Sequence, residues 1–280
     1  MKRCVTVIFS RNRALQCHLL LSTLFNHCKD IEQESNIFVL HRNDSEHEKS
    51  YETLKTEFPT VNFVKETNFK QDLLKLLLSN ESNISWGKNV CFLTDDSVIC
   101  NDFNMTNVIK TLENSRDCLG FSLRLGLNTK FCYPYNCEQA VPHVINVNKN
   151  VLMFDWQKAE YDFGYPIELS SSVYPLENII EILQNCQYFS PNSLESCMAG
   201  CYIEDKPNLL MFPKSVCFSS PLNIVQDTHK NRNAGHDPDT FRRLYEKGIR
   251  FNATQFDNIT PNAAHWIPEN FEVININEGA

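Results

Sequence analysis

The sequence predicts an α/β protein with a mostly parallel central sheet flanked by helices. Two observations carry that prediction. Short apolar runs alternate with helical runs through the first 100 residues, and their spacing fits successive βα units. A third, the absence of any internal repeat or low-complexity linker, predicts one domain over 1–280 with two functional halves, 1–100 and 101–280.

The elements follow in order. CVTVIF (4–9) is a strand, and RALQCHLLLSTLF after it is helical, with Leu15, Leu19 and Leu20 on one side. NIFVLH is a second strand. Ser45 with Glu48 three residues on reads as a capping box for the next helix, where Tyr51, Leu54 and Phe58 form a stripe. VNFVKE is a third strand, FKQDLLKLLLSN a third helix and NVCFLTDD a fourth strand. The second half is less regular. A helix is expected over 103–114, a strand at CLGFSLRLG, a helix at PLENIIEILQN with Ile179, Ile180 and Leu183 on one side, and a late strand in NLLMFPKSVCFSS. Residues 133–174 read as an aromatic, proline-rich stretch, and 221–270 as a polar tail with three histidines.

With 280 residues, 42% of them hydrophobic and 21% charged, the chain can bury a sizeable core. A net charge of -8 argues against wholesale nucleic-acid binding and leaves room for a local basic pocket. The opening MKRCVTVIFSRNR holds too short an apolar run for a signal peptide, and no apolar run of eighteen residues occurs, so no integral membrane segment is expected. The 12 cysteines are scattered, several of them inside apolar strands (Cys4, Cys91, Cys217), and lack CxxC spacing. Buried free thiols in a reducing, cytoplasmic compartment are the expectation.

In open parallel sheets ligands bind beyond the carboxyl ends of the strands. Those ends are SRNR, HRND, KETNFKQD and TDDS, each with polar groups suited to a nucleotide. There is no G-x-G-x-x-G and no P-loop, which argues against a dinucleotide or an ordinary NTPase site. Asp95 and Asp96 stand side by side at the edge of a buried strand, where two carboxylates need a cation, hydrogen-bond donors or solvent. A hard divalent cation, Mn²⁺ or Mg²⁺, takes carboxylate oxygens and bridges to substrate phosphates. The alternative is that one aspartate caps the next helix and the other is solvated.

At these residues the chain resembles a family. VTVIFSRNRALQCHLLLSTL is similar to the opening strand and helix of GT-A glycosyltransferases, and FLTDDSV resembles their aspartate motif, which holds the metal and the diphosphate of a nucleotide sugar. DFGYPIELSSSVYP, SPNSLE and NIVQDTHKNR are similar to the acceptor half of a set of family-2-like bacterial glycosyltransferases. The resemblance implies a GT-A fold. It also implies metal-assisted, inverting transfer from a nucleoside-diphosphate sugar to a hydroxyl of a saccharide or other acceptor, as in polysaccharide biosynthesis. On this view 1–100 is the nucleotide-binding half and 101–280 the acceptor-binding half. The pattern departs at Ser97, where Asp-x-Asp would continue as a third acid. The resemblance further implies a C-terminal histidine at the metal. His229, His236 and His265 are candidates, His229 preferred for its place beside NIVQD.

The same layout nominates the nucleotide pocket. Ser10, Arg11 and Arg13 follow the first strand, where a guanidinium pairs well with phosphate. Asn43 and Asp44 follow the second, to read base or ribose unless Asp44 caps the helix; Lys70 and Asp72 follow the third, with a surface ion pair as the alternative. Arg124, in an otherwise apolar strand, needs an anion, either a substrate phosphate or a structural carboxylate. Inverting transfer needs a carboxylate to deprotonate the acceptor. The family resemblance places it at a helix start, which favours Glu195 in SPNSLE over Glu168, although Glu168 lies among aromatics suited to sugar stacking (Trp156, Tyr161, Phe163, Tyr165). The competing readings are a sugar nucleotidyltransferase, which the glycine-free SRNRA opposes, and a non-catalytic carbohydrate- or nucleotide-binding protein on a degenerate transferase fold, which Ser97 suggests.

Overall fold

A computed structural model of the chain describes residues 2–78, 88–201, 203–225 and 232–277. The chain opens with β1 (Cys4–Arg11), α1 (Ala14–His27), the short α2 (Ile31–Glu34) and β2 (Ser35–Arg42). Next come α3 (Glu48–Glu57), β3 (Asn62–Lys65), α4 (Phe69–Leu78) and β4 (Asn89–Thr94). β5 (Ser97–Ile99), α5 (Met105–Glu113) and β6 (Cys118–Ser122) follow, then the small β7 (Phe131–Cys132) and β8 (Cys137–Glu138) pair. β9 (Val144–Asn148) and β10 (Val151–Asp155) form a hairpin ahead of β11 (Ser171–Pro175) and α6 (Leu176–Asn185). α7 (Pro191–Ala199), β12 (Asn208–Met211), β13 (Cys217–Ser219), α8 (Pro238–Glu246) and the β14–β15 pair (Ile249–Phe251, Val273–Asn275) complete it.

One nine-stranded sheet, ordered β3-β2-β1-β4-β11-β6-β12-β10-β9, contains strands from both halves of the chain. β3, β2, β1 and β4 are mutually parallel, as are β6 and β12, while β11 and β10 run against their neighbours. The predicted α/β class and mostly parallel sheet are what the chain forms. Alternation along β1 explains the layers. Cys4 and Ile8 pack into a core with α1, α3, α5 and α8, whereas Val5, Val7 and Phe9 face a second core with α4, α6 and α7. β4 alternates likewise, with Cys91 and Leu93 on one face and Val90 and Phe92 on the other.

Several expectations are corrected. The Ser45–Glu48 capping box does not form, because Asp44 Oδ1 accepts the backbone N–H groups of Glu46 and His47 instead, and α3 begins at Glu48 with no side-chain cap. The stretch 133–174 holds three strands of the main sheet, and NLLMFPKSVCFSS is two strands, broken where Pro213 cannot donate to a ladder. The described part of 221–270 is no solvated tail, since Phe241, Tyr245, Phe251 and Phe256 are buried in the first core. Buried Arg250 stacks on the Tyr245 ring and pairs with Glu57 of α3 at 2.6 Å, which bolts this segment to the βα half. The expectation of free thiols holds for ten cysteines, eight of them buried, but Cys186 and Cys197 form a disulfide between the end of α6 and α7. No helix among the described residues is long and apolar enough to cross a membrane.

Candidate active site

The strand order reverses between β2–β1 and β1–β4, so a crevice opens beyond the carboxyl ends of β1 and β4. A cavity of about 1070 Å³ lies there. Its first wall comes from the ends of β1 and β4: Ser10, Arg11, Arg13, Thr94, Asp95 and Asp96 all line it. Asn12 makes the turn between the two arginines with φ 55°, a left-handed conformation that asparagine tolerates better than most side chains. Its amide donates to Asp44 at 2.8 Å.

Arg13 and the aspartates form one network. Arg13 Nη1 donates to Asp95 Oδ1 at 3.0 Å and lies 3.5 Å from Asp96 Oδ2, while its Nε donates to Asn223 Oδ1 at 2.7 Å. The other Asp95 oxygen accepts the Arg11 backbone N–H at 3.1 Å. Burial nevertheless pushes the Asp95 carboxyl up to about 6, against the pull of Arg13. Asp96 Oδ1 accepts the Thr94 hydroxyl at 2.7 Å. Ser10 is tied to the Tyr51 hydroxyl at 2.6 Å, and Ser97 donates to the Ser170 carbonyl, so it is a structural tie rather than a third acid.

The opposite wall comes from the second half. α7 starts in a true capping box, with Ser190 as cap, Ser193 as its reciprocal partner and Pro191 at the first turn. This sets Glu195 in the cavity wall, where Oε1 accepts the Leu169 N–H at 3.2 Å. Burial, reinforced by the negative charge of Glu168, pushes the Glu195 carboxyl up to about 7. Glu168 itself lies beneath the cavity lining. It accepts from Ser170 N–H and hydroxyl, Ser171 N–H and the Ser172 hydroxyl, with Arg124 Nε 3.9 Å away. Arg124, whose anion was left open between phosphate and carboxylate, thus has a structural carboxylate, and it also reaches the cavity floor. Of the four aromatics singled out, Tyr161 and Tyr165 line the cavity, whereas Trp156 and Phe163 are core.

Other sequence candidates lie elsewhere. Lys70 Nζ donates to the Gln184 and Cys186 carbonyls at the end of α6, and Asp72 accepts the Thr67 and Asn68 N–H groups at the start of α4; neither lines the cavity, nor do they pair with each other as a surface bridge. Asn43 and Asp44 are likewise outside it. Asn43 donates to Glu48 at 2.6 Å, and Asp44 organises the turn before α3. His229 falls outside the described residues. His236 is exposed against the Phe241 ring and is not part of the cavity wall, but His265 is. Burial and Arg124 lower the His265 pKa from its ordinary value, and its buried Nδ1 has no hydrogen-bond partner. Among the described residues no cluster of three histidine, cysteine or acidic side chains could hold a metal on its own.

Sequence reasoning missed Asn223 and the hairpin tyrosines Tyr133 and Tyr135, and it named the strand ends that hold Arg42 and Glu66 without singling out these two wall residues. Asn223 lies in the NIVQD segment singled out above, and the Cys-flanked Tyr-Pro-Tyr-Asn turn was a usable turn signal.

No family model matches the chain. Over 191 residues it is 28% identical to the bifunctional glycosyltransferase pgtA of Dictyostelium discoideum, a match covering 63% of this chain and 24% of that protein. The chain therefore spans about a quarter of the curated relative it matches. Among solved structures it is similar to S. aureus TarS 1-349, with TM-score 0.47, 13% identity and coverage of 78% of this chain and 60% of that one. It is also similar to the same TarS fragment in complex with UDP-GlcNAc, with TM-score 0.46, 11% identity and coverage of 80% and 60%. The resemblance to glycosyltransferases read from the sequence is matched by a curated relative that bears that name.

Proposed function

We propose that this chain transfers a sugar from a nucleoside-diphosphate sugar to an acceptor hydroxyl, with inversion and with Glu195 as general base. The observation that carries the reading is the meeting of two walls in one cavity. Strand-end groups suited to a nucleotide diphosphate face a carboxyl that burial has tuned to about 7, near the pH at which a general base works best. The sequence relative supports the same class.

In this mechanism the donor lies over the ends of β1 and β4. Arg11 contacts phosphate, and Arg13 holds the aspartate pair in place. Glu195 takes the proton of the acceptor hydroxyl; the oxygen bonds to the anomeric carbon as the bond to the diphosphate oxygen breaks, and the electron pair leaves with the diphosphate. Arg124 and Glu168 are positioning residues under the floor, and Asn43, Asp44, Lys70 and Asp72 support the fold. Both Asp95 oxygens accept close hydrogen bonds, whereas Arg13 Nη1 approaches Asp96 Oδ2 at the longer 3.5 Å, so we assign Asp95 to Arg13 and Asp96 to a metal. Mn²⁺ or Mg²⁺ would be held by Asp96, with the buried Nδ1 of His265, which has no hydrogen-bond partner, as a second protein ligand from the same cavity. Bound there, the cation would neutralise charge on the departing diphosphate. Ten unpaired cysteines support a reducing compartment, the cytoplasm, as the setting.

The test is a thermal-shift titration with UDP and GDP, with and without Mn²⁺, followed by donor turnover in Glu195→Gln. Saturating nucleotide at 100 times its Kd stabilises by about 2.7 kcal/mol. Absence of stabilisation by every nucleoside diphosphate tried would sink the reading.

A further inference from the structure

The cavity mouth on the acceptor side carries aromatic rings that packing does not explain. Tyr135 and Phe189 are each 72% exposed, and Tyr161 is 41% exposed, yet all three line the cavity. Tyr135 sits in the turn between β7 and β8, and its ring centroid is 5.6 Å from that of Tyr161 at a 57° tilt. Phe189 projects from the segment entering α7, six residues before Glu195.

Backbone conformation singles out Tyr161. It is held at φ 52°, a left-handed conformation that is a genuine outlier for a bulky side chain. Such strain persists only where the surroundings over-determine it, and it gathers at ligand-binding positions. The surroundings here are specific. The next residue, Asp162, is buried and makes two reciprocal hydrogen bonds with buried Gln139. Gln139 Nε2 donates to Asp162 Oδ2 at 2.9 Å, and the Asp162 N–H donates to Gln139 Oε1 at 3.1 Å. Gln139 is itself fixed to the hairpin, its N–H donating to the Lys130 carbonyl at 2.9 Å. The two loops are therefore bolted together beneath the rings, and the strained Tyr161 is pinned opposite Tyr135. Tyr165 lines the same cavity as the two rings and Glu195.

From this arrangement, and resting on the transferase reading, we infer that Tyr135 and Tyr161, with Phe189 across the mouth, form a clamp for a pyranose ring, so that the acceptor is a saccharide. A pyranose offers an apolar C–H face to aromatic rings and hydroxyls at its edge, which suits exposed rings beside a carboxyl. A nucleobase would also stack, but the groups suited to a nucleotide diphosphate line the other wall, at the ends of β1 and β4. A purely structural role would bury the rings.

The experiment is ligand-observed saturation-transfer NMR on the whole chain in the presence of UDP or GDP. The probes are methyl β-pyranosides of glucose, galactose and N-acetylglucosamine, with sorbitol as a ring-free control. The variants are Tyr135→Ala and Tyr161→Ala, both at exposed rings, and Tyr161→Gly, which relieves the positive φ and so keeps the fold while deleting the ring. At least one pyranoside should bind above sorbitol. Each ring deletion should weaken it roughly tenfold, the scale of one lost aromatic contact, and nucleotide affinity should stay within about twofold. Pyranoside binding that survives the deletions, nucleotide affinity that falls in their place, or pyranosides no better than sorbitol while nucleotide binds would each overturn the clamp and spare the transferase reading. If no nucleoside diphosphate binds the wild-type chain, the transferase reading fails and the clamp fails with it.

Discussion

The two walls of the cavity are built by different means. The wall at β1 and β4 is made of parallel strand ends, and its charged groups are spent on one another: Arg13 is held by Asp95, Asp96 and Asn223, and Asp95 by Arg13 and the Arg11 N–H. The opposite wall is made of a hairpin turn, a loop and the start of α7, and it leaves rings exposed and the Glu195 carboxyl perturbed. The first wall is rigid through mutual satisfaction. The second keeps unspent groups at the surface, where an acceptor would meet them. Disturbing the first wall should therefore cost stability, and disturbing the second should cost chemistry.

The largest stability effects are expected in the first wall and in the floor below the second. Arg13→Ala leaves Asp95 buried without its cation, and Glu168→Gln leaves Arg124 buried without its carboxylate. Each should destabilise by about 3–5 kcal/mol, read as a lower urea midpoint at unchanged m-value. If Glu168→Gln instead kept full stability and lost transfer alone, the assignment of Glu168 to the floor would be reversed.

Glu195→Gln should behave in the opposite sense. The folded carboxyl titrates near 7 and its ordinary value is 4.5, so between those values the folded state binds the proton that the unfolded state has released. Stability from this group is therefore full below about 4.5 and declines as pH rises through about 7, a difference of roughly 3 kcal/mol. The glutamine variant should lose that decline and be more stable than wild type at pH 8, as thermal unfolding from pH 5 to 8 will show. A parallel fall in both proteins would mean that Glu195 is not the group responsible.

Much of the first wall was legible in the sequence because it is local. A strand that ends in SRNR and another that ends in TDD bring their polar groups to one edge once the strands are parallel neighbours, and period-2 burial makes them so. The position of Glu195 was legible from a helix start, which forms with Ser190 as the cap. Lys70 and Asp72 follow a strand too, but from that strand end it is Glu66 and Phe69 that line the cavity, while Lys70 and Asp72 are taken up by the end of α6 and the segment before α4. Asn223 and His265 depend on contacts with no local signature, since the segment after β13 is placed by the pairing of Ser219 with Ser97 and of Ser219 with His265. The strain at Tyr161 could not be read at all, because nothing in the residue type announces a positive φ.

The smallest effect follows from that contrast. Asp72→Ala removes a carboxylate that reaches back to the Thr67 and Asn68 N–H groups just before α4, which should cost about 1 kcal/mol and leave nucleotide affinity unchanged. An isothermal titration with UDP or GDP in this variant checks it; a tenfold weaker complex would return Asp72 to the binding site.

The central claim is that Glu195 is the base, and the pH dependence of donor turnover in wild type and Glu195→Gln tests it most directly. Activity requires the deprotonated carboxylate, so the wild-type rate should rise with pH to a plateau with a midpoint near 7, and the variant should lose about 10²–10⁴-fold of kcat along with that ascending limb, at unchanged nucleotide affinity. A variant that keeps the wild-type profile, or one whose loss is entirely in nucleotide binding, would contradict the account.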